Sequence, residues 1–283
     1  MSKPELAQYA KEDGTGRAYK HPFRTVGDVE GGTLLTSPSV TTILGLVDKP
    51  ALIQWAADRT LDWAIENVSL LFVKDEEGAK RWGRYRWADA RDERAEVGTG
   101  IHETIESIHT GGWNYPALDD EQQRIMKQWE KLNERYIITP HLSEFTVWGG
   151  LRLDNGHWAG TGDGLWDITD TQTGIVYENV VIDLKTSKNI WPEHWLQLSA
   201  LRHADVVMRK KDDGEWVEDV LPEGDGTAII HLREDKFQVL IETDKELLDL
   251  QYEQFMSYRS VWHYKKAVEQ YTKDRAKTKE MKF

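Results

Sequence analysis

The chain has 283 residues, a formal net charge of −13 and no cysteine. Without cysteine there is no disulfide, thiolate zinc site, iron–sulfur cluster or cysteine nucleophile. The negative balance argues against broad electrostatic adhesion to nucleic acid.

No apolar run approaches the roughly 18 residues of a membrane span, and MSKPELAQYAKEDG lacks the apolar centre of a signal peptide. A cytoplasmic protein with no membrane partner is expected. The length suits one large domain, or one domain with a helical annex.

Residues 1–36 are polar and Gly-rich, with GDVEGGT near the end, and read as loop or a short hairpin. SPSVTTIL then turns helical, with Ser39 or Thr42 as cap, and Pro50 suits the first turn of a second helix. Leu52, Trp55, Ala56, Leu61, Ala64 and Ile65 keep helical spacing over 51–68. Further helices are expected over 76–95, 100–108 and 120–136. The character then changes. Residues 142–149, 158–169 and 177–186 read as strands separated by Asn-Gly and Thr-Gly turns. Pro192 opens a helix to about Met208, followed by a polar loop. Residues 227–232 and 237–242 read as a hairpin. Asp244 caps a last helix to about Tyr271, and 273–283 reads as a basic mobile tail. The order implies an α/β or α+β core over 137–272, with a helical region over 37–136.

The stretch VVIDLKTSKN raises the first chemical question. Strand side chains alternate, so Asp183 and Lys185 share one face while Ile182 and Leu184 share the other. The pair is either a salt bridge or part of a site. In GTGDG, Asp163 sits between glycines, whose small size permits close approach of a ligand or another backbone. If the two strands form an antiparallel hairpin, Asp163 and Asp183 come together. Two such carboxylates repel unless a positive group lies between them. A hard cation, Mg²⁺ or Mn²⁺, suits that place, with Lys185 beside it.

In GTGIHETIESIH, Ile101, Ile105 and Ile108 make one helical stripe and His102, Glu106 and His109 another. An inward His102 is a candidate third ligand. The zinc-protease pattern HExxH fails, because its second histidine position holds Glu106. In WPEHWLQLSALRHAD, Gln197 lies within the helix begun by Pro192, and its amide can hold a phosphate or a water. Trp191 and Trp195 suit base stacking or core packing equally. With Lys188 they are the candidate DNA contacts. Two basic clusters, Lys80, Arg81, Arg84, Arg86, Arg91, Arg94 and the lysine-rich tail from Lys265 to Lys282, read singly as solvated faces.

Taken in order, Gly98, His102 and Glu106 in GxxxHxxxE, Asp163 in GTGD, Asp183 and Lys185 in IDLK, and Gln197 in the next helix resemble the PD-(D/E)XK nuclease superfamily. The likeness is greatest to its RecB-type branch, which includes phage-encoded exonucleases, and covers about residues 37–205. It implies a restriction-endonuclease-like mixed sheet flanked by helices and Mg²⁺- or Mn²⁺-dependent cleavage of DNA phosphodiesters. By resemblance, His102, Asp163, Asp183 and the Leu184 backbone carbonyl are metal ligands. Asp163, Asp183, Lys185, Gln197 and Glu106 form the catalytic set. Expected partners are DNA and a single-strand annealing or other recombination protein.

Three departures stand out. Gly162 replaces the name-giving proline, Leu201 occupies the place of a frequent tyrosine, and the cysteines of cluster-bearing relatives are absent. Two alternatives are a non-catalytic DNA-binding accessory protein of the same fold and a nuclease acting on RNA.

Overall fold

The computed structural model describes residues 5–8, 16–26, 33–72, 76–83, 85–112, 117–153, 156–211 and 213–280. Most of GDVEGGT, together with Arg84, Asn155 and Lys282, lies outside the described residues.

Three short strands, β1 (Ala7–Gln8), β2 (Ala18–Val26) and β3 (Thr33–Pro38), pair antiparallel near the N-terminus. Ser39 caps α1 (Val40–Leu44), its Oγ accepting from the Thr42 amide at 2.9 Å. Pro50 opens α2 (Pro50–Glu66), and α3 (Val68–Leu71) and α4 (Glu76–Gly83) follow. The two helices expected over 76–95 and 100–108 divide differently. α4 stops at Gly83, and a single α5 runs Arg86–His109 straight through Gly98 and Gly100. A mid-helix glycine costs about 1 kcal/mol against alanine. Here it permits contact: a Cβ on Gly100 would stand 2.3 Å from the Gln122 side chain. Gln122 belongs to α6 (Asp120–Arg135), where it completes a reciprocal cap with Asp119.

The main sheet is built from β4 (Tyr136–Gly149), β5 (Trp158–Asp170), β6 (Val176–Lys185), β7 (Val206–Lys210), β8 (Trp216–Asp219), β9 (Thr227–Leu232) and β10 (Phe237–Glu242). Its order is β10-β9-β6-β5-β4-β7-β8, antiparallel except for the parallel β6–β9 pair. The parallel pair requires a crossover, which contains α7 (Pro192–Arg202). α7 ends six residues before the expected Met208: Val207 and Met208 instead pair with Val147 and Thr146 in the sheet. The end of the expected helix and the polar loop after it thus supply β7 and β8. Their charged residues, such as the exposed Arg209 and Lys210, suit a sheet margin.

Asp244 caps α8 (Lys245–Glu280), accepting from the Glu246 and Leu247 amides. The helix continues past Tyr271 through most of the presumed tail, with one-turn contacts such as Gln270 to Asp274 at 2.9 Å.

Helices cover both sheet faces. On one, Val40 and Ile43 of α1, Leu196 and Leu198 of α7 and Phe255 of α8 pack on Phe145, Val147, Leu165 and Val181. On the other, Ile101 and Ile105 of α5 and Trp129 and Leu132 of α6 pack on Trp166, Ile182, Leu184 and Ile230. The fold class is mixed α/β. Among the described residues no helix is long and apolar enough to cross a membrane.

Candidate active site

The site lies where a sheet ladder opens. β5 and β6 pair as far as Gly164 opposite Ile182. Leu184 is two residues further along, so its amide and carbonyl point to the same edge as those of Ile182, where β5 no longer follows. Side chains take over. The Leu184 amide donates to Asp163 Oδ2 at 2.7 Å, and the Leu184 carbonyl lies 3.0 Å from His102 Nε2. His102 is aimed here by its neighbours, since Ile101 and Ile105 are fully buried and anchor α5 by roughly 1.5–3 kcal/mol each.

The alternation read from IDLK holds. Ile182 and Leu184 enter the core beneath α5 and α6. Asp183 and Lys185 line the cleft on the α7 side with Gln197. Lys185 Nζ is 2.5 Å from Asp183 Oδ2, and Gln197 Nε2 is 3.5 Å from Asp183 Oδ1. The structure therefore brings together His102, Asp163, Asp183, Leu184, Lys185 and Gln197.

Glu144 joins them, and sequence reasoning missed it. Ser143 pairs with Gly164 and Phe145 with Gly162, which sets Glu144 opposite Asp163. Its φ is +49°, a left-handed conformation that costs a non-glycine residue of order 1–3 kcal/mol and clusters at functional sites. The conformation also breaks the alternation of β4. Leu142 and Phe145, three apart, both reach the same core, although in a regular strand they would face opposite ways. His102, Glu144 and Asp163 each offer a ligand atom within 4.8 Å of the others. The one signal in the sequence was an acid in LSEFTVWGG whose hairpin partner is the aspartate of GTGDG.

The electrostatics are those of a crowded acidic recess. Burial, then Asp163 and Glu106, push the Glu144 carboxyl up to about 7. Burial raises Glu106 as well, helped by Glu103. Asp183 is pushed up to about 6 by burial; Lys185 opposes this and Asp163 adds to it. Burial alone would raise Asp163, but His102, Lys185 and the Leu184 amide together hold it below the ordinary carboxylate range. Burial disfavours the protonated form of His102, yet Asp163 outweighs it and His102 titrates above its usual value.

Carboxylates, one imidazole and one backbone carbonyl are ligands for a hard divalent cation. His102 Nδ1 is buried without a hydrogen-bond partner, its nearest carboxylate oxygen being Asp163 Oδ1 at 3.5 Å. These features fit a metal, while the donor set leaves its identity open.

Other expected residues are placed as follows. Glu106 lines a narrow recess with His102, Glu144, Asp163 and Leu184. His109 leaves this group, with its ring 4.6 Å from that of Trp166 and 5.7 Å from that of Trp129. Trp195 packs against the core beside α7, whereas Trp191 and Lys188 are exposed. Leu201 lies against the glycines of GTGDG: a Cβ on Gly160 would come within 2.8 Å of it. In the first basic cluster, Arg86, Arg91 and Arg94 pair with Asp89, Asp92 and Glu121 at the surface. Comparison of the chain with protein-family models and with curated proteins finds no match to either.

Proposed function

We propose that the chain is a divalent-metal-dependent nuclease of restriction-endonuclease-like fold, resembling the RecB-type branch of the PD-(D/E)XK superfamily, and that it hydrolyses DNA phosphodiester bonds as an exonuclease in phage recombination, replication or DNA processing. The observation that carries this reading is the meeting of His102, Asp163, Asp183 and Lys185 around the Leu184 backbone at the open end of the β5–β6 ladder.

In this reading Mg²⁺ or Mn²⁺ is held by His102, Asp163, Asp183 and the Leu184 carbonyl, with Glu144 as a further carboxylate. When bound, the ion neutralises phosphate charge and acidifies water. The chain's own groups do the rest. Lys185 Nζ, beside Asp183, places an ammonium where negative charge develops on the phosphoryl oxygens, and steadies the attacking water. Gln197 reaches the same carboxylate from α7 and orients that water through its amide. Glu106, which lines the recess with His102, Glu144 and Asp163, takes up or returns a proton.

The test is digestion of end-labelled linear DNA, closed circular DNA and RNA, with Mg²⁺ or Mn²⁺ and with EDTA. Linear DNA should be shortened only when metal is present. Faster cleavage of RNA would favour the RNA alternative. Binding of DNA without cleavage of any substrate would favour the accessory-protein reading.

A further inference from the structure

A second cavity adjoins the candidate active site, and its charge is opposite. It has a volume of about 530 Å³, within the usual range for small-ligand pockets. The floor is one stripe of α8, in which Arg259, Trp262, His263 and Lys266 follow at spacings of three, four and seven and so share a helix face. Arg259 is 2 % exposed. Its Nε donates to the His157 carbonyl at 2.9 Å and its guanidinium carbon lies 5.4 Å from the Trp262 ring centre. Lys265 adds another cation, and no aspartate or glutamate is among the described lining residues.

Arg17 lines both this cavity and the cleft that holds Asp163, Asp183, Lys185 and Gln197. Its backbone carbonyl is fixed to the start of α1 by the Ser39 amide at 3.1 Å and the Thr42 hydroxyl at 2.8 Å. The two spaces therefore share a wall.

A chain of net charge −13 repels a polyanion at long range, so a polyanionic substrate needs a local cationic seat. We propose that this cavity seats a nucleotide of the substrate strand next to the bond being cut, its phosphate on Arg17, Lys265 and Lys266 and its base against Trp262. The proposal rests on the nuclease reading above. Stacking on an aromatic ring accepts any base, which suits an enzyme that moves along a strand. Lys266 also pairs with Glu269 at 2.8 Å. That contact is exposed and worth about 0–1 kcal/mol, so an entering phosphate can displace it. His157 bears the mark of crowded positive charge: burial, then Arg259 and His263, hold its pKa below the ordinary histidine value. A bound phosphate would relieve that crowding.

The experiment measures the affinity of an end-labelled single-stranded oligothymidine by fluorescence polarisation in EDTA, so that nothing is cut. The variants are Lys265→Glu with Lys266→Glu, and, as a control, Lys127→Glu with Lys131→Glu on the exposed face of α6. Both pairs are exposed, so folding is retained. A third variant, Trp262→Ala, tests the stacking, with its fold checked by circular dichroism. The cavity pair should weaken binding about tenfold or more and reduce the salt slope by about 1.4, as for two phosphates. The control should do neither. Equal loss in both pairs, or no loss in the cavity pair, overturns the proposal. Inorganic phosphate and thymidine monophosphate are added as competitors. If either displaces the oligonucleotide at the oligonucleotide's own affinity, the cavity is a small-anion site and the strand assignment is overturned. The two readings fail separately: selective loss of binding in a protein that cuts nothing with Mg²⁺ upholds the cavity and removes the nuclease. Metal-dependent cutting with unchanged binding does the reverse.

Discussion

Lys185 Nζ stands 2.5 Å from Asp183 Oδ2, yet Asp183 holds its proton more tightly than a free aspartate does, with its carboxyl pushed up to about 6. A salt bridge that served folding would lower that value. Here burial, with Asp163 beside it, outweighs the ammonium. Burial of that carboxylate costs the metal-free fold something, as the proposed metal reading expects and a pair serving stability does not.

Asp183→Asn separates the two readings. A folded-state value above the 3.8 of an ordinary aspartate means that the group's contribution to stability is present below about pH 4 and lost as pH rises through about 6. At pH 8 the metal-free variant should therefore be as stable as the wild type or more so, by urea unfolding, while cleavage falls at least a hundredfold. A structural pair predicts a loss of roughly 3–5 kcal/mol instead.

Glu144→Gln carries the same logic further. Its carboxyl is pushed from 4.5 to about 7 by burial first and by Asp163 and Glu106 after it. Ionised Glu144 thus destabilises the metal-free protein above pH 7, by up to about 3 kcal/mol from the size of that shift. Thermal unfolding should show the variant more stable by about 1–3 kcal/mol at pH 8 and unchanged at pH 4. Added Mg²⁺ should stabilise the wild type more than the variant at pH 8. Equal stabilisation of both by Mg²⁺ would remove Glu144 from the ligand set.

Protons and metal should compete. Below pH 7 Glu144 is protonated, and Asp163 keeps His102 protonated above its usual range; neither form ligates a cation. Affinity for Mg²⁺ or Mn²⁺ by calorimetry should rise between pH 6 and 8, by roughly tenfold per pH unit for each proton displaced, with proton release detected by changing the buffer. A pH-independent affinity would place the cation elsewhere.

The residues that meet at the site are more legible in the sequence than the element boundaries. IDLK stands out because strand alternation is a fixed period of two and charged residues on an otherwise buried strand break the pattern, and GTGD because an aspartate between glycines leaves room for close approach. Glu144 stayed hidden, because its importance comes from the register of β4 against β5 and from a left-handed backbone, neither of which a local window contains. The cut at residues 95–100 was wrong because Gly98 and Gly100 usually stop a helix, whereas here the closeness of Gln122 requires the small residue. Val207 and Met208 read as the end of α7 because their partners, Val147 and Thr146, are far away in sequence. The expected tail is helix as far as Glu280, and one-turn side-chain pairs over 266–274 lead into it.

The most direct test of the account is the single-turnover cleavage rate of Lys185→Met on end-labelled linear DNA at saturating Mg²⁺. The substitution keeps an unbranched stem and removes the charge, while the proposed ligands His102, Asp163 and Asp183 remain. Oriented charge and proton-transfer help are each worth about 10²–10⁴-fold, so the rate should fall at least a hundredfold while Mg²⁺ affinity is kept or improved. A variant that cuts DNA at the wild-type rate would contradict the account and leave Lys185 and Asp183 as a buried salt bridge.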